Sequence, residues 1–118
     1  HPQMKICLSH GGGFVPYQAG RFQHAYEVRP EAKANLPNGP AASIGRLYYD
    51  TILHKTSALE FLVKEVGVDR VLLGSDYPFD MGNLDCVARV RAAAIDPAAR
   101  DLILGGYAQT LLGEAAHA

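Results

Sequence analysis

A chain of 118 residues, 48% hydrophobic, 19% charged and carrying a net charge of −1, has the make-up of one modest globular domain. It has no long basic stretch and no apolar run near the ~20 residues that span a bilayer, which argues against nucleic-acid and membrane partners. The opening HPQMKICLSH lacks the layout of a secretory leader, and two cysteines without a CxxC make neither a disulfide framework nor a zinc ribbon. Cys7 and Cys86 are accordingly expected to be buried thiols in a cytoplasmic protein.

Three short apolar runs predict strands: MKICLS (4–9), RLYYDTI (46–52) and RVLLGS (70–75). Each leads through turn signals into helical periodicity, the alternation of βα units with parallel strands. After the first strand come the glycines of HGGGF. The segment 28–45, VRPEAKANLPNGPAASIG, carries three prolines and two glycines and reads as irregular. After the second strand, Thr56 or Ser57 can cap a helix, and Ser57 with Glu60 has capping-box spacing. Leu59, Leu62, Val63 and Val66 then form one apolar stripe to lay on the sheet, and Gly67 supplies a stop. A helix follows the third strand within DYPFDMGNLDCVARVRAAA. Another starts at IDPAARDLIL, with Asp96 as cap and Pro97 in the first turn. Gly105 and Gly106 interrupt it before YAQTLLG, and EAAHA is a frayed tail. Three parallel strands leave two open sheet edges, which small stable domains seldom expose. The pattern therefore reads as part of something larger.

The ends of the three strands carry the chemistry. His10, Asp50 and Asp76 each follow a strand directly, and in a parallel α/β sheet all these ends open on the side where ligands bind. Each also has a plainer reading: His10 as a loop residue, Asp76 as a turn former before YP, and Asp50, where this reading is favoured, as a group that orients a backbone turn. His24 and His54 look like helix-face and loop residues, and His1 and His117 lie at the termini. None of those four has a partner at metal-ligand spacing. HGGGF also occurs in the oxyanion hole of some esterases, but their chemistry needs a GxSxG elbow. None of Ser9, Ser43, Ser57 or Ser75 lies in one.

Taken in order, KICLSHGGGFVPYQAGRFQHAYEVRPEAK, YYDTILH and RVLLGSDYPFDMG resemble the C-terminal part of the metal-dependent amidohydrolase superfamily. The match is closest to its aminocarboxymuconate semialdehyde decarboxylase branch. Hydroxybenzoate decarboxylases differ after the histidine, and a related hydratase branch shares HGGG…VPY without GSDYPF. The resemblance implies that residues 1–118 are the last three βα units, plus the closing helix, of a (β/α)8 barrel, a fold of about 250 residues.

By the same resemblance Asp76 is a metal ligand, and His10 contacts the metal-bound water and moves protons. Arg21 reaches into a neighbouring subunit of a homo-oligomer to hold a substrate carboxylate, and Phe79 lines the pocket. The implied reaction is nonoxidative decarboxylation of a small carboxylated metabolite with zinc, or another divalent metal, and no organic cofactor. The other metal ligands of the family, an HxH pair and a further histidine, have no counterpart in this sequence, so the 118 residues are expected to be inactive alone. Two alternatives stay open: a hydrolase or hydratase of the same superfamily, and a noncatalytic half-barrel that self-associates through its strand edges.

Overall fold

Tyr48–Asp50 (β2) is the middle of a three-stranded sheet, flanked by Cys7–Leu8 (β1) and Val71–Leu72 (β3) in the order β1-β2-β3. Both pairings are parallel, with Cys7 opposite Tyr48 and Tyr49 opposite Val71. This computed structural model describes residues 3–113; His1, His117 and the EAAHA tail lie outside them. The strands are shorter than their apolar runs because β1 and β3 each have one partner, and only residues facing β2 complete a ladder. Tyr48 N–H extends the first pairing by donating to Ile6 O at 2.8 Å.

Helices follow each strand. Between β1 and β2 lie Phe14–Tyr17 (α1), Ala19–Val28 (α2), Pro30–Ala34 (α3) and Gly39–Ile44 (α4). The last two correct the expectation of an irregular segment over 28–45. Pro30 and Pro40 fall in the first turns of α3 and α4, where a missing N–H breaks no helical bond and the fixed φ starts the helix.

β2 leads into Thr56–Val66 (α5), whose Leu59 and Leu62 are buried against the sheet, with Val63 and Val66 packed at the margin. Burying each leucine stabilises the fold by about 1.5–3 kcal/mol. The cap differs from expectation: Lys55 takes the N-cap position, with no side-chain cap. Glu60 instead accepts a hydrogen bond from Ala94 N–H at 2.8 Å, tying α5 to the chain beyond the next helix.

After β3 come Cys86–Ala92 (α6), Pro97–Asp101 (α7) and Tyr107–Leu112 (α8). Asp96 caps α7 as its position suggests, accepting from Ala98 and Ala99 N–H at 3.0 and 3.2 Å. Gly105 and Gly106 lie in a widened helical turn, Leu102–Gly106, that joins α7 to α8. The core is Tyr49, Val71, Leu59, Leu62, Val90, Ala93 and Ile103, where β2 and β3 meet α5, α6 and that turn.

The expectation of buried thiols fails at Cys7, which is exposed, while Cys86 is half-buried. β1 is an edge strand, and its neighbours Met4 and Ile6 are exposed with it. No described helix is long and apolar enough to cross a membrane.

Candidate active site

The C-terminal ends of the three strands are held together by side chains from two consecutive residues of one segment. The buried Asp50 carboxylate accepts hydrogen bonds from His10 N–H (3.1 Å) and Gly11 N–H (2.9 Å), and from Ile52 N–H (3.0 Å) in its own turn. This bears out the turn-orienting role favoured for Asp50. Next to it, the buried Thr51 hydroxyl accepts from Gly74 N–H at 3.1 Å and lies 3.4 Å from Gly74 O. Asp50 thus ties the end of β1 to β2, and Thr51 ties β2 to the end of β3. Sequence reasoning missed Thr51; a β-branched hydroxyl residue directly after a strand-end aspartate is a weak signal for such a role.

The glycines after His10 are dictated by space. Gly11 and Gly12 have φ of 60° and 75°, and a Cβ on Gly12 would fall 2.6 Å from the buried Tyr49 ring. The backbone passes this close only without a side chain.

These ties bring two candidates together. His10 Nε2 lies 3.6 Å from Asp76 Oδ2, within ion-pair reach but longer than a hydrogen bond. Both face one hollow of about 230 Å³, lined also by Ile52, His54 and Met81. The loop after β3 that carries Asp76 is fixed by Asn83 N–H donating to Ser75 O (2.7 Å) and Phe79 N–H to Asp76 O (2.9 Å), and it contains a cis Tyr77–Pro78 bond. His54, expected to be a plain loop residue, thus sits at the site, as does Met81.

The other two candidates stand apart from the hollow. Arg21 lies on α2 and lines a different depression with His24, Val28 and Arg29. Phe79 is 68% exposed and does not line the hollow that holds Asp76. A larger hollow of about 400 Å³ near Phe22, Tyr26 and Leu36 is almost wholly apolar, with the hydroxyls of Tyr26 and Ser43 as its polar side-chain groups.

Among the described residues no three His, Cys, Asp or Glu side chains are grouped to hold a metal ion. Asp76 and His10 offer two donors where a zinc site uses three or four protein ligands. The described residues by themselves therefore do not make a metal site. One thiol near the strand ends is perturbed: Cys7 is pushed above its ordinary value, first by partial burial of its sulfur and then by the Asp50 charge.

An amidohydrolase family model matches residues 1–113. The chain is 36% identical over 114 residues to the 2-amino-3-carboxymuconate-6-semialdehyde decarboxylase of Dictyostelium discoideum, covering 95% of this chain and 32% of that protein. It is 41% identical over 90 residues to the Caenorhabditis elegans enzyme of the same name, covering 75% and 22%. Among solved structures, the 2,6-dihydroxybenzoate decarboxylase from Rhizobium matches with a TM-score of 0.77 at 28% identity, over 96% of this chain and 36% of that one. A manganese-bound dihydroxybenzoic acid decarboxylase from Polaromonas matches with a TM-score of 0.76 at 27% identity, over 95% and 34%. The chain thus spans about a third of the relatives that it matches along nearly its whole length. Its three parallel βα units are part of a (β/α)8 barrel, which accounts for the two open sheet edges. With the strand order, the paired His10 and Asp76 and these matches in hand, the chain belongs to the amidohydrolase family.

Proposed function

We propose that these residues are the C-terminal portion of a nonoxidative decarboxylase acting on a small carboxylated metabolite of the aminocarboxymuconate semialdehyde type. The supporting observation is the placement of His10 and Asp76 3.6 Å apart over the ligand-binding end of a parallel sheet. The greater identity to the two muconate semialdehyde decarboxylases than to the gamma-resorcylate decarboxylase of Rhizobium, 31% identical over 94 residues, favours the branched unsaturated acid over a hydroxybenzoate.

In this reading His10 moves protons during the reaction, its largely exposed imidazole standing beside Asp76. Asp76 is the chain's contribution to a zinc site whose other ligands lie outside these residues, and the 118 residues alone are inactive. Arg21 supplies a guanidinium, the right shape for a carboxylate, to the site of a neighbouring subunit. Phe79, exposed on the loop that carries Asp76, covers the substrate there. The unpaired Cys7 and Cys86 suit a reducing cytoplasm.

The test is substitution in a full-length protein carrying this segment, with CO2 release and metal content measured together. Asp76→Ala loses both. His10→Ala keeps the metal and loses turnover, and normal turnover in this variant removes the proton role. Arg21→Ala raises KM, and an unchanged KM removes that assignment. CO2 release by the isolated 118 residues would refute the requirement for outside ligands. A second reading, self-association of the chain, is favoured by Met4, Ile6 and Cys7 lying exposed along an open strand edge. A native mass measurement of the isolated chain, monomer against dimer, decides it.

A further inference from the structure

We propose that His54 contacts substrate, its imidazole holding an oxygen of the carboxylated substrate beside His10 and Asp76. The inference rests on the reading of the hollow as a decarboxylase site.

Among the described residues, three that are not glycine have a left-handed backbone: His10 (φ 54°), His54 (φ 53°) and Asp76 (φ 60°). All three line the same hollow. Away from the strand ends, left-handed positions fall to glycine, at Gly39, Gly67 and Gly113. A side chain in this conformation is strained, and such strain persists where the surroundings enforce it and a function uses it. A turn alone would be served with less strain by glycine. Two members of the trio are the candidates for the chemistry, and the third reaches the hollow by the same device.

The surroundings hold His54 in place. Arg89 on α6 extends its guanidinium to donate to His54 O, and its Nε is buried without a partner. An unsatisfied buried donor is costly, so the fold sacrifices one Arg89 hydrogen bond while fixing this carbonyl.

Donor accounting then assigns the role. An acid entering the hollow meets the Asp76 carboxylate, the His10 imidazole beside it, and the apolar Ile52 and Met81. Its negative oxygens require N–H donors. His10, 3.6 Å from Asp76, is assigned to proton movement, and this chain's own Arg21 lines another depression. The His54 imidazole, exposed and with no hydrogen-bond partner among the described residues, is the remaining donor that this chain itself gives the hollow. A neutral imidazole offers one N–H, so no change of charge is needed.

The experiment is His54→Asn and His54→Gly in a metal-loaded, full-length protein carrying this segment. Both residues accept a left-handed backbone, so each removes the imidazole and spares the turn. Calorimetric binding of 2,6-dihydroxybenzoate, used as a carboxylated probe that the parent protein is first shown to bind, is read separately from the KM and kcat of CO2 release from 2-amino-3-carboxymuconate-6-semialdehyde. The expected result is a tenfold or greater loss of affinity and rise of KM in both variants, kcat within threefold, and unchanged metal content. Binding and KM within twofold of the parent in either variant overturn the inference, since the turn alone would then explain His54. Acid that binds through His54 without CO2 release supports this inference while refuting the decarboxylase reading.

Discussion

Replacing Asp50 should loosen the site more than any other single change to the sheet. The residue is 7% exposed and its carboxylate takes three backbone N–H groups, two of them from the turn that carries His10. Hydrogen bonds to a charged group are each worth roughly 1.5–3 kcal/mol, and a buried N–H left unpaired costs about 1–3 kcal/mol. Gly11 N–H is the buried donor of the three; those of His10 and Ile52 are only partly buried and can turn to water. Asp50→Ala should therefore cost on the order of 3–5 kcal/mol, in the exceptional range for a point change. Asp50→Asn keeps an acceptor for Gly11 and Ile52 but turns an NH2 toward His10 N–H. Removal of a buried charge offsets part of that clash, leaving about 1–2 kcal/mol.

Urea unfolding measures both. With a slope of about 2 kcal/mol/M, typical of small proteins, the alanine variant's midpoint should fall by about 1.5–2.5 M and the asparagine variant's by about 0.5–1 M. Amide exchange at Gly11 gives a local check, since this N–H should lose protection before the core amides do. An alanine variant within 0.5 kcal/mol of the parent, with Gly11 still protected, would refute the idea that this carboxylate holds the His10 turn.

Three further outcomes follow from neighbouring groups. Gly12→Ala forces a Cβ to within 2.6 Å of the buried Tyr49 ring at a positive φ, so it should destabilise by about 2–4 kcal/mol in the same urea assay. Tyr49 is fully buried, and burial pushes its hydroxyl above its ordinary value. As pH rises past about 10 the unfolded chain gives up a proton that the native state keeps, so stability falls with pH there, and Tyr49→Phe should flatten this alkaline slope. At neutral pH the same variant should cost about 1 kcal/mol for the lost bond from Tyr49 Oη to Ile44 O at 3.1 Å. The thiolate of Cys7 forms only above the ordinary thiol range, so its alkylation rate, followed by mass spectrometry, should rise at higher pH than that of an unfolded control, and earlier in Asp50→Asn.

What could be read from the sequence was what short segments decide for themselves. Leu59, Leu62, Val63 and Val66 announce the buried face of α5, and Asp96 before Pro97 announces a helix start, because spacing and capping act within one turn. The same rule at Pro30 and Pro40 was obscured by the surrounding glycines and prolines, yet those prolines start α3 and α4 just as Pro97 starts α7. Ser57 and Glu60 had the spacing of a capping box, but Glu60 found a partner 34 residues away, which no local pattern encodes. Cys7 looked buried because strands usually are; its exposure depends on what lies beyond the edge of β1. That His10 and Asp76 share one hollow could be read from position alone, since a parallel sheet sends every strand end to one side. The place of His54 in that hollow was not legible, because a left-handed backbone at a histidine has no sequence signature and Arg89, which donates to its carbonyl, is 35 residues distant.

The pairing of His10 with Asp76 depends on the middle strand more than on the strands that bear them. Each backbone ladder is only two residue pairs long, too short to set the relative height of two loops. That task falls to Asp50 and Thr51, which grip the ends of β1 and β3 from between them. A change in α5 or α6 removes burial and lowers stability, while both strand ends keep their common reference. A change at Asp50 shifts His10 alone, and one at Thr51 shifts the Asp76 loop alone. Either would disturb the 3.6 Å separation of imidazole and carboxylate, and misplacement by about an ångström can slow a reaction roughly a hundredfold. The separation of His10 and Asp76 is therefore carried by two short polar side chains, and in the proposed enzyme substitutions there should lower turnover beyond what their cost in stability explains.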